Sequence, residues 1–248
     1  YDIIELDDAR LGLVIADVSD KGVPAALLMA VACTKIKAIA RACERPGAVL
    51  EQLNEQLADG NEAAMFVTVF YGILDHRAGR LTYANGGHDA PFLQRGDAKA
   101  EPLPRTGGLA LGLMPGMTYE EASVALSSGD TVFFYTDGVT EAFNSQGAPF
   151  TALRLKQVLY EARSLSVQEL GHRVIADLEH FTEGTPQSDD ITCVVLRYHP
   201  AVSDDTSERS DDLAAGPWPF EHRLAGGLEG LAALAEAVEG YLETEGLP

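Results

Sequence analysis

The amino-acid sequence predicts an α/β protein whose strands run antiparallel, and three observations carry that prediction. Residues 65–85 read as two strands joined by a short turn, apolar runs of strand length stop abruptly at aspartates, and proline-opened amphipathic segments fall between the runs. Strands and helices are interleaved without an internal repeat.

The first apolar run, Leu11 to Ala16, has strand length, and Asp17-Val-Ser-Asp-Lys-Gly22 breaks it with turn residues. Pro24 opens a helix expected to reach Cys43, because proline suits a first helical turn, and Leu28, Ala32, Ile36 and Ile39 recur on one face of it. A second helix runs from Pro46 to Asp59 with Leu50, Leu53 and Leu57 in register. Met65 to Leu74 is rich in β-branched and aromatic residues and reads as a long strand. Asp75 to Gly79 turns it back into Arg80 to Asn85, which makes a hairpin. Asp130 to Thr136 is the next strand, closed by the turn dipeptide Asp137-Gly138. Helices follow over 152–162 and 167–181, the second introduced by Ser166 and Glu169 at capping-box spacing. After the polar stretch Thr182 to Ser188, Ile191 to Tyr198 is the last strand of the unit.

Composition narrows the function. The chain has 248 residues, 46% of them hydrophobic, enough for one large domain with a sizeable core. Eighteen Lys and Arg against 38 Asp and Glu leave a net charge of −20, which repels nucleic acid and anionic membrane surfaces. Cys33, Cys43 and Cys193 form no C-x-x-C pair and sit in apolar runs, as reduced thiols of a cytoplasmic protein do. The longest apolar run, Pro24 to Cys33, is followed by Lys35, Lys37 and Arg41 and is expected to be too short to span a bilayer. The opening Tyr1-Asp2-Ile3-Ile4-Glu5 carries no signal-peptide pattern, and the absence of an initiator Met marks a fragment or a processed form.

The acidic residues fall in a pattern. Asp17 and Asp137 each end an apolar strand, whereas Asp189 and Asp190 stand just before one. In an antiparallel sheet the end of one strand lies beside the start of its neighbour, so these carboxylates are expected to meet at one edge. Converging carboxylates repel one another and raise each other's pKa, and a hard divalent cation removes that penalty. Magnesium or manganese is favoured over zinc, since no His or Cys accompanies them at ligand spacing. Singly, each aspartate has a plainer reading: Asp137-Gly138 is a common turn, Ser19 or Asp20 could cap the following helix, and Asp189-Asp190 could be a solvated turn.

Jointly the motifs resemble the SpoIIE-type branch of the metal-dependent protein phosphatase (PPM) superfamily over residues 1–199. The resemblance rests on Tyr1-Asp2, Ile15-Ala-Asp-Val-Ser-Asp-Lys-Gly22 running into Ala25-Ala-Leu-Leu-Met29, and Tyr83-Ala-Asn-Gly-Gly-His88. It continues through Leu111-Gly-Leu113, Tyr135-Thr-Asp-Gly-Val-Thr-Glu-Ala142 and Ser188-Asp-Asp-Ile-Thr192. It implies two packed antiparallel β-sheets flanked by helices, an α-β-β-α sandwich, with two Mn2+ or Mg2+ ions at one end. In that family Asp17 matches the carboxylate that bridges both metals, with the carbonyl of Val18 as a further ligand, and Asp137 and Asp189 match two other carboxylate ligands. Asp190 is then a neighbour, and His88 a packing or turn residue rather than an acid. The reaction implied is hydrolysis of phosphoserine or phosphothreonine by metal-activated water. The family's Tyr-Asp is preceded by Gly-Gly-Asp-x, so one more carboxylate is expected two positions before Tyr1 and the sequence is read as lacking its first strand residues. That absence also argues for the competing reading, a pseudophosphatase that binds partners without turnover.

For partners, the resemblance implies a phosphorylated anti-anti-sigma (STAS) protein in bacterial partner switching, compatibility with a homodimer and sensor domains upstream, and helices 24–43 and 46–59 that gate metal recruitment. Past Tyr198 the composition changes. Asp204, Asp205, Glu208, Asp211 and Asp212 among small polar residues read as an acidic linker over 200–216. Residues 217–248 then read as a strand, Phe220 to Ala225, and a helix, Leu228 to Leu242. They resemble the start of an anti-sigma kinase-like ATPase domain, with a plain interaction helix as the alternative.

Overall fold

A computed structural model describes residues 1–61, 63–200 and 231–235. Its elements in chain order are β1 (Asp2–Glu5), β2 (Arg10–Val18), α1 (Val23–Ala40), α2 (Pro46–Ala58), β3 (Val67–Asp75), β4 (Arg80–Gly86), β5 (Phe92–Gln94) and β6 (Glu101–Pro102). They continue with β7 (Glu121–Ala125), β8 (Thr131–Tyr135), α3 (Asp137–Thr140), α4 (Thr151–Glu161), α5 (Val167–Thr182), β9 (Thr192–Arg197) and β10 (Leu231–Ala235). Two wholly antiparallel sheets result, ordered β1-β2-β3-β4-β7 and β10-β9-β8-β5-β6.

The strand residues explain the layering. On β2 and β3, Leu13, Ile15, Phe70 and Leu74 point to one side and meet Val132, Phe134, Val194 and Leu196 of the other sheet, which makes the middle of the sandwich. The alternate residues Val14, Val67, Val69, Tyr71 and Ile73 face the opposite way and pack under Ile36 and Ile39 of α1 and Val49, Leu50 and Leu53 of α2. On the other sheet Phe133, Tyr135, Cys193 and Val195 carry α4 and α5 through Leu155, Leu159, Leu170, Val174 and Leu178. Both faces of each central strand are buried, so the strands read as continuous apolar runs instead of alternating ones. The expected α-β-β-α sandwich is the observed architecture.

Most helix boundaries lie within a residue or two of expectation, α1 ending at Ala40, earlier than Cys43. The capping box forms: Glu169 N donates to Ser166 Oγ at 3.2 Å and Ser166 N to Glu169 Oε2 at 2.9 Å. As an 18-residue apolar helix α1 does have the length and composition of a membrane span, which corrects the sequence reading. Its second half is core, with Ala32, Ile36, Ile39 and Ala40 buried, while Val23, Leu27 and Val31 are exposed along the first half.

Four short strands, β1, β5, β6 and β7, were not anticipated. They are two to five residues long and exist because a neighbouring strand offers free backbone groups, a signal absent from local periodicity. The Asp137-Gly138 turn is instead the first half of the one-turn helix α3. The helix expected over 228–242 is corrected at its centre: Leu231–Ala235 pairs with β9, Leu231 opposite Leu196 and Ala235 opposite Thr192. Leu and Ala favour a helix in isolation, but the unpaired edge of β9 supplies a ladder of hydrogen bonds that outweighs the preference. The rest of 217–248, the 220–225 strand and the 201–216 part of the linker lie outside the described residues.

Candidate metal centre

The side-chain alternation that builds the sandwich also aims the acidic groups. Leu13, Ile15 and Asp17 share one face of β2, so Asp17 points into the gap between the sheets where the apolar filling ends. It sits inside the ladder, opposite Thr68 of β3, with Val18 opposite Val67. Asp137 and Asp189 come from the other sheet, just past the end of β8 and just before β9. The two loops are clasped by Thr136, whose N–H donates to Thr192 O at 3.1 Å and whose hydroxyl accepts from Thr192 N and donates to Asp190 O, both at 3.0 Å. Gly138 makes the clasp tight, since a Cβ there would stand 2.2 Å from Asp190 O.

Carboxylate oxygens of Asp17, Asp137 and Asp189 consequently lie within 4.8 Å of one another. They converge, but not along one sheet edge as the sequence suggested. Two come from neighbouring strands and the third crosses from the facing sheet. Between Asp189 and Asp190 the geometry selects Asp189; Asp190 is exposed and contributes its carbonyl to the clasp. Val18 ends β2 directly beside the cluster, its N–H donating to Asp17 Oδ1 at 3.0 Å. Ser19 does not cap α1. Its hydroxyl accepts from Phe66 N at 2.9 Å and extends the β2–β3 pairing, and the N-cap of α1 is Gly22, which offers no side-chain cap.

The electrostatics of the cluster call for a cation. Burial first, and then the charges of Asp137 and Asp189, push the Asp17 carboxyl up to about 7. Asp137 Oδ1 is buried without a hydrogen-bond partner. A buried carboxylate oxygen left unpaired costs more than a neutral group would, and a hard oxygen-seeking ion repairs it. The residues present therefore fit magnesium or manganese. Lys21 is the one cation seen against the trio among the described residues; its ammonium stands 3.5 Å from Asp189 Oδ1 and donates to the carbonyl of Ser188. It is 69% exposed, so it neutralises the cluster only weakly.

His88 is a brace. It is 8% exposed, its Nε2 bonds Tyr135 O at 3.1 Å and its Nδ1 meets Thr68 Oγ1 at 2.9 Å, so it ties β8 to β3 across the sandwich. The carbonyl must accept, which makes Nε2 the protonated nitrogen and Nδ1 the acceptor. Burial lowers its pKa to about 4. Asn85 presents it, accepting from His88 N and donating to His88 O, both at 2.8 Å, around Gly87 at φ 74°. Sequence reasoning missed Asp89, which follows this motif directly. Burial raises its carboxyl, the charge of Asp137 adds to that, and Arg105 and Thr140 oppose it.

An α-β-β-α sandwich with a carboxylate cluster between the sheet ends defines the class: a PP2C-type phosphatase domain. The family model described as Stage II sporulation protein E (SpoIIE) matches residues 7–199, a span that includes all three aspartates. The chain belongs to that family. It is 29% identical over 223 residues to protein IcfG of Synechocystis sp., an alignment that covers 79% of this chain and 35% of IcfG. It is 29% identical over 191 residues to the phosphoserine phosphatase RsbU of Bacillus subtilis, covering 77% of this chain and 56% of RsbU. The chain thus spans about half or less of the curated relatives it matches. Among solved structures, the RsbU and RsbW domains of Rv1364c from Mycobacterium tuberculosis align with TM-score 0.66 at 29% identity, over 78% of this chain and 53% of that one. The phosphatase domain of SpoIIE from Bacillus subtilis aligns with TM-score 0.69 at 19% identity, over 79% and 57%, and supports the fold alone.

Proposed function

We propose that this chain is a divalent-metal-dependent protein serine/threonine phosphatase acting on a phosphorylated STAS-type regulatory protein in bacterial partner switching. The observation that carries the reading is the convergence of Asp17, Asp137 and Asp189, delivered by two different sheets, around a buried carboxylate oxygen that has no partner. Support for the activity comes from two relatives named phosphoserine phosphatases, RsbU and RsbP of Bacillus subtilis.

Asp17, Asp137 and Asp189, with the Val18 carbonyl as a further donor, would hold the divalent ions, manganese or magnesium. When bound, such ions supply an activated water and neutralise phosphoryl charge. The chain's own contribution is positional. The β2–β3 ladder holds Asp17, and the Thr136 clasp holds Asp137 against Asp189. His88 takes no part in proton transfer, because both ring nitrogens are engaged and burial keeps the ring neutral. Lys21, beside Asp189, is a positive charge that favours approach of a phosphorylated ligand to a protein that is otherwise strongly acidic.

The test is phosphate release from a phosphoserine-bearing STAS protein with and without manganese, wild type against Asp137→Asn. Manganese-dependent release by the wild type and its loss in the variant are expected; equal rates would overturn the reading.

A further inference from the structure

The turn between β2 and α1, residues 19–22, holds one side chain against the metal centre. Ser19 is locked to the neighbouring strand end, its N–H donating to Phe66 O and its hydroxyl accepting from Phe66 N, both at 2.9 Å. At the other end Gly22 O accepts from Ala26 N at 3.1 Å in the first turn of α1. Between these anchors the backbone enters the left-handed region twice, at Asp20 with φ 73° and at Gly22 with φ 86°. Aspartate is one of the few residues besides glycine that tolerate that region, so the chain bends sharply on both sides of Lys21 and leaves its backbone little freedom to drift.

From that fixed point the Lys21 side chain crosses to the loop of the facing sheet. Its ammonium donates to Ser188 O and stands 3.5 Å from Asp189 Oδ1. Among the ion pairs of the described residues this is the one that includes a member of the trio; Arg10, Lys37, Arg45, Arg95 and Lys156 are engaged with carboxylates elsewhere. An ammonium carries three N–H donors, and its two contacts leave one unused. At 69% exposure the head group is attached to Asp189 only loosely. A divalent cation that takes Asp189 removes this partner from the ammonium without removing the ammonium from its place. A phosphoryl group drawn to the same centre then offers the nearest anionic oxygens.

We propose that Lys21 is the residue that holds the substrate's phosphoryl group: with the metal ligands occupied, its ammonium donates an N–H to a non-bridging phosphoryl oxygen. Lys21 gives up no proton in this role. It supplies a fixed positive charge where the reacting group must be positioned, as a charge-assisted hydrogen bond does. A lysine suits the exchange of partners, because its rotatable head group can leave Asp189 for a phosphoryl oxygen with no change in the backbone. The inference rests on the phosphatase reading for the identity of the ligand. Its rival is a plain tether, in which Lys21 only ties the 19–22 turn to the 188–189 loop. A tether acts on the metal site, whereas a phosphoryl partner acts on phosphate affinity after the metal is bound.

Calorimetric titration separates the two. Manganese is titrated first into wild type, Lys21→Ala, Lys21→Arg and Lys99→Ala, and inorganic phosphate is then titrated into each manganese-saturated protein. Lys99→Ala removes the same charge from the exposed turn between β5 and β6. Lys21→Ala is expected to bind phosphate about tenfold more weakly, the loss of one charge-assisted hydrogen bond partly screened by solvent, while its manganese affinity stays level or rises slightly. Lys21→Arg, which keeps the charge, should stay within about threefold of wild type, and Lys99→Ala should match wild type. With a phosphoserine-bearing STAS protein as substrate, KM of Lys21→Ala should rise about as much as phosphate affinity falls, with kcat changing by less than about threefold. Unchanged phosphate affinity in Lys21→Ala, an equal loss in Lys99→Ala or in Lys21→Arg, or a parallel loss of manganese affinity would overturn the inference, as would failure of the manganese-loaded wild type to bind phosphate. Failure of the wild type to hydrolyse the phosphoprotein would overturn the phosphatase reading instead, while the phosphate titrations still decide the role of Lys21.

Discussion

The two sheets deliver their carboxylates to the centre in different ways. Asp17 is a member of the β2–β3 ladder, where nine paired positions from Arg10 to Val18 fix it cooperatively. Asp137 and Asp189 stand outside their sheet, held by the Thr136 hydroxyl, the close approach over Gly138 and the exposed ion pair of Lys21. A ladder residue can be displaced only by disturbing the sheet, whereas a loop residue moves when one contact is lost. The first half of the centre is thus a rigid platform and the second an adjustable one.

The largest effect is expected on the rigid side. Asp17→Asn should lower manganese-dependent phosphate release at least about a hundredfold, exceeding the loss seen when groups behind a metal ligand are removed. The same change relieves carboxylate crowding, so the metal-free melting temperature should rise while the stabilisation by added manganese disappears. A variant that keeps its activity, or that melts lower without metal, breaks the comparison.

On the adjustable side, Gly138→Ala forces a methyl against Asp190 O and should cost about 3 kcal/mol, as overpacking does. Because the strain falls on the 188–191 segment, manganese affinity should drop as well. Calorimetric titration of the folded variant would show it, and an unchanged affinity would mean that Asp189 is held by something other than this clasp.

A smaller effect concerns pH. The Asp17 carboxyl rises from 3.8 to about 7 in the fold, so between those values the folded chain holds the extra proton and metal-free stability falls as pH increases. His88 drops from 6.5 to about 4, so between those values the unfolded chain holds the extra proton and stability rises with pH. The two slopes oppose each other from about pH 4 to 6.5, with the Asp17 contribution reduced by its partial exposure. Metal-free wild type should therefore lose less stability than Asp17→Asn when the pH is lowered from 6.5 to 4.5, as denaturation curves at the two pH values would reveal. Manganese must displace the Asp17 proton, so its affinity should weaken as pH falls below about 7.

Smallest is Lys21→Ala. An exposed pair contributes less than about 1 kcal/mol, so stability should barely change. Since the ammonium competes with metal for Asp189, apparent manganese affinity should increase by no more than about fivefold. A large loss of affinity would show Lys21 to be part of what holds the adjustable side in place.

Much of this design is legible locally. Apolar runs with β-branched and aromatic residues mark β2, β3, β8 and β9, leucine spacing marks α2, and Ser166 with Glu169 announces the start of α5. The aspartates that end or precede those runs are the ones the structure gathers, for a chain that stops being apolar at a strand end leaves the core at that point. The alternation of Leu13, Ile15 and Asp17 even encodes the direction in which Asp17 faces. What adjacent residues do not encode is which strand lies across from which. The short strands β1, β5, β6 and β7, the strand at 231–235 in place of a helix, and the sheet-to-sheet meeting of Asp17 with Asp137 and Asp189 all depend on pairings between distant segments. Backbone hydrogen bonds in a sheet are satisfied by whatever edge is near, and only the folded chain decides which edge that is.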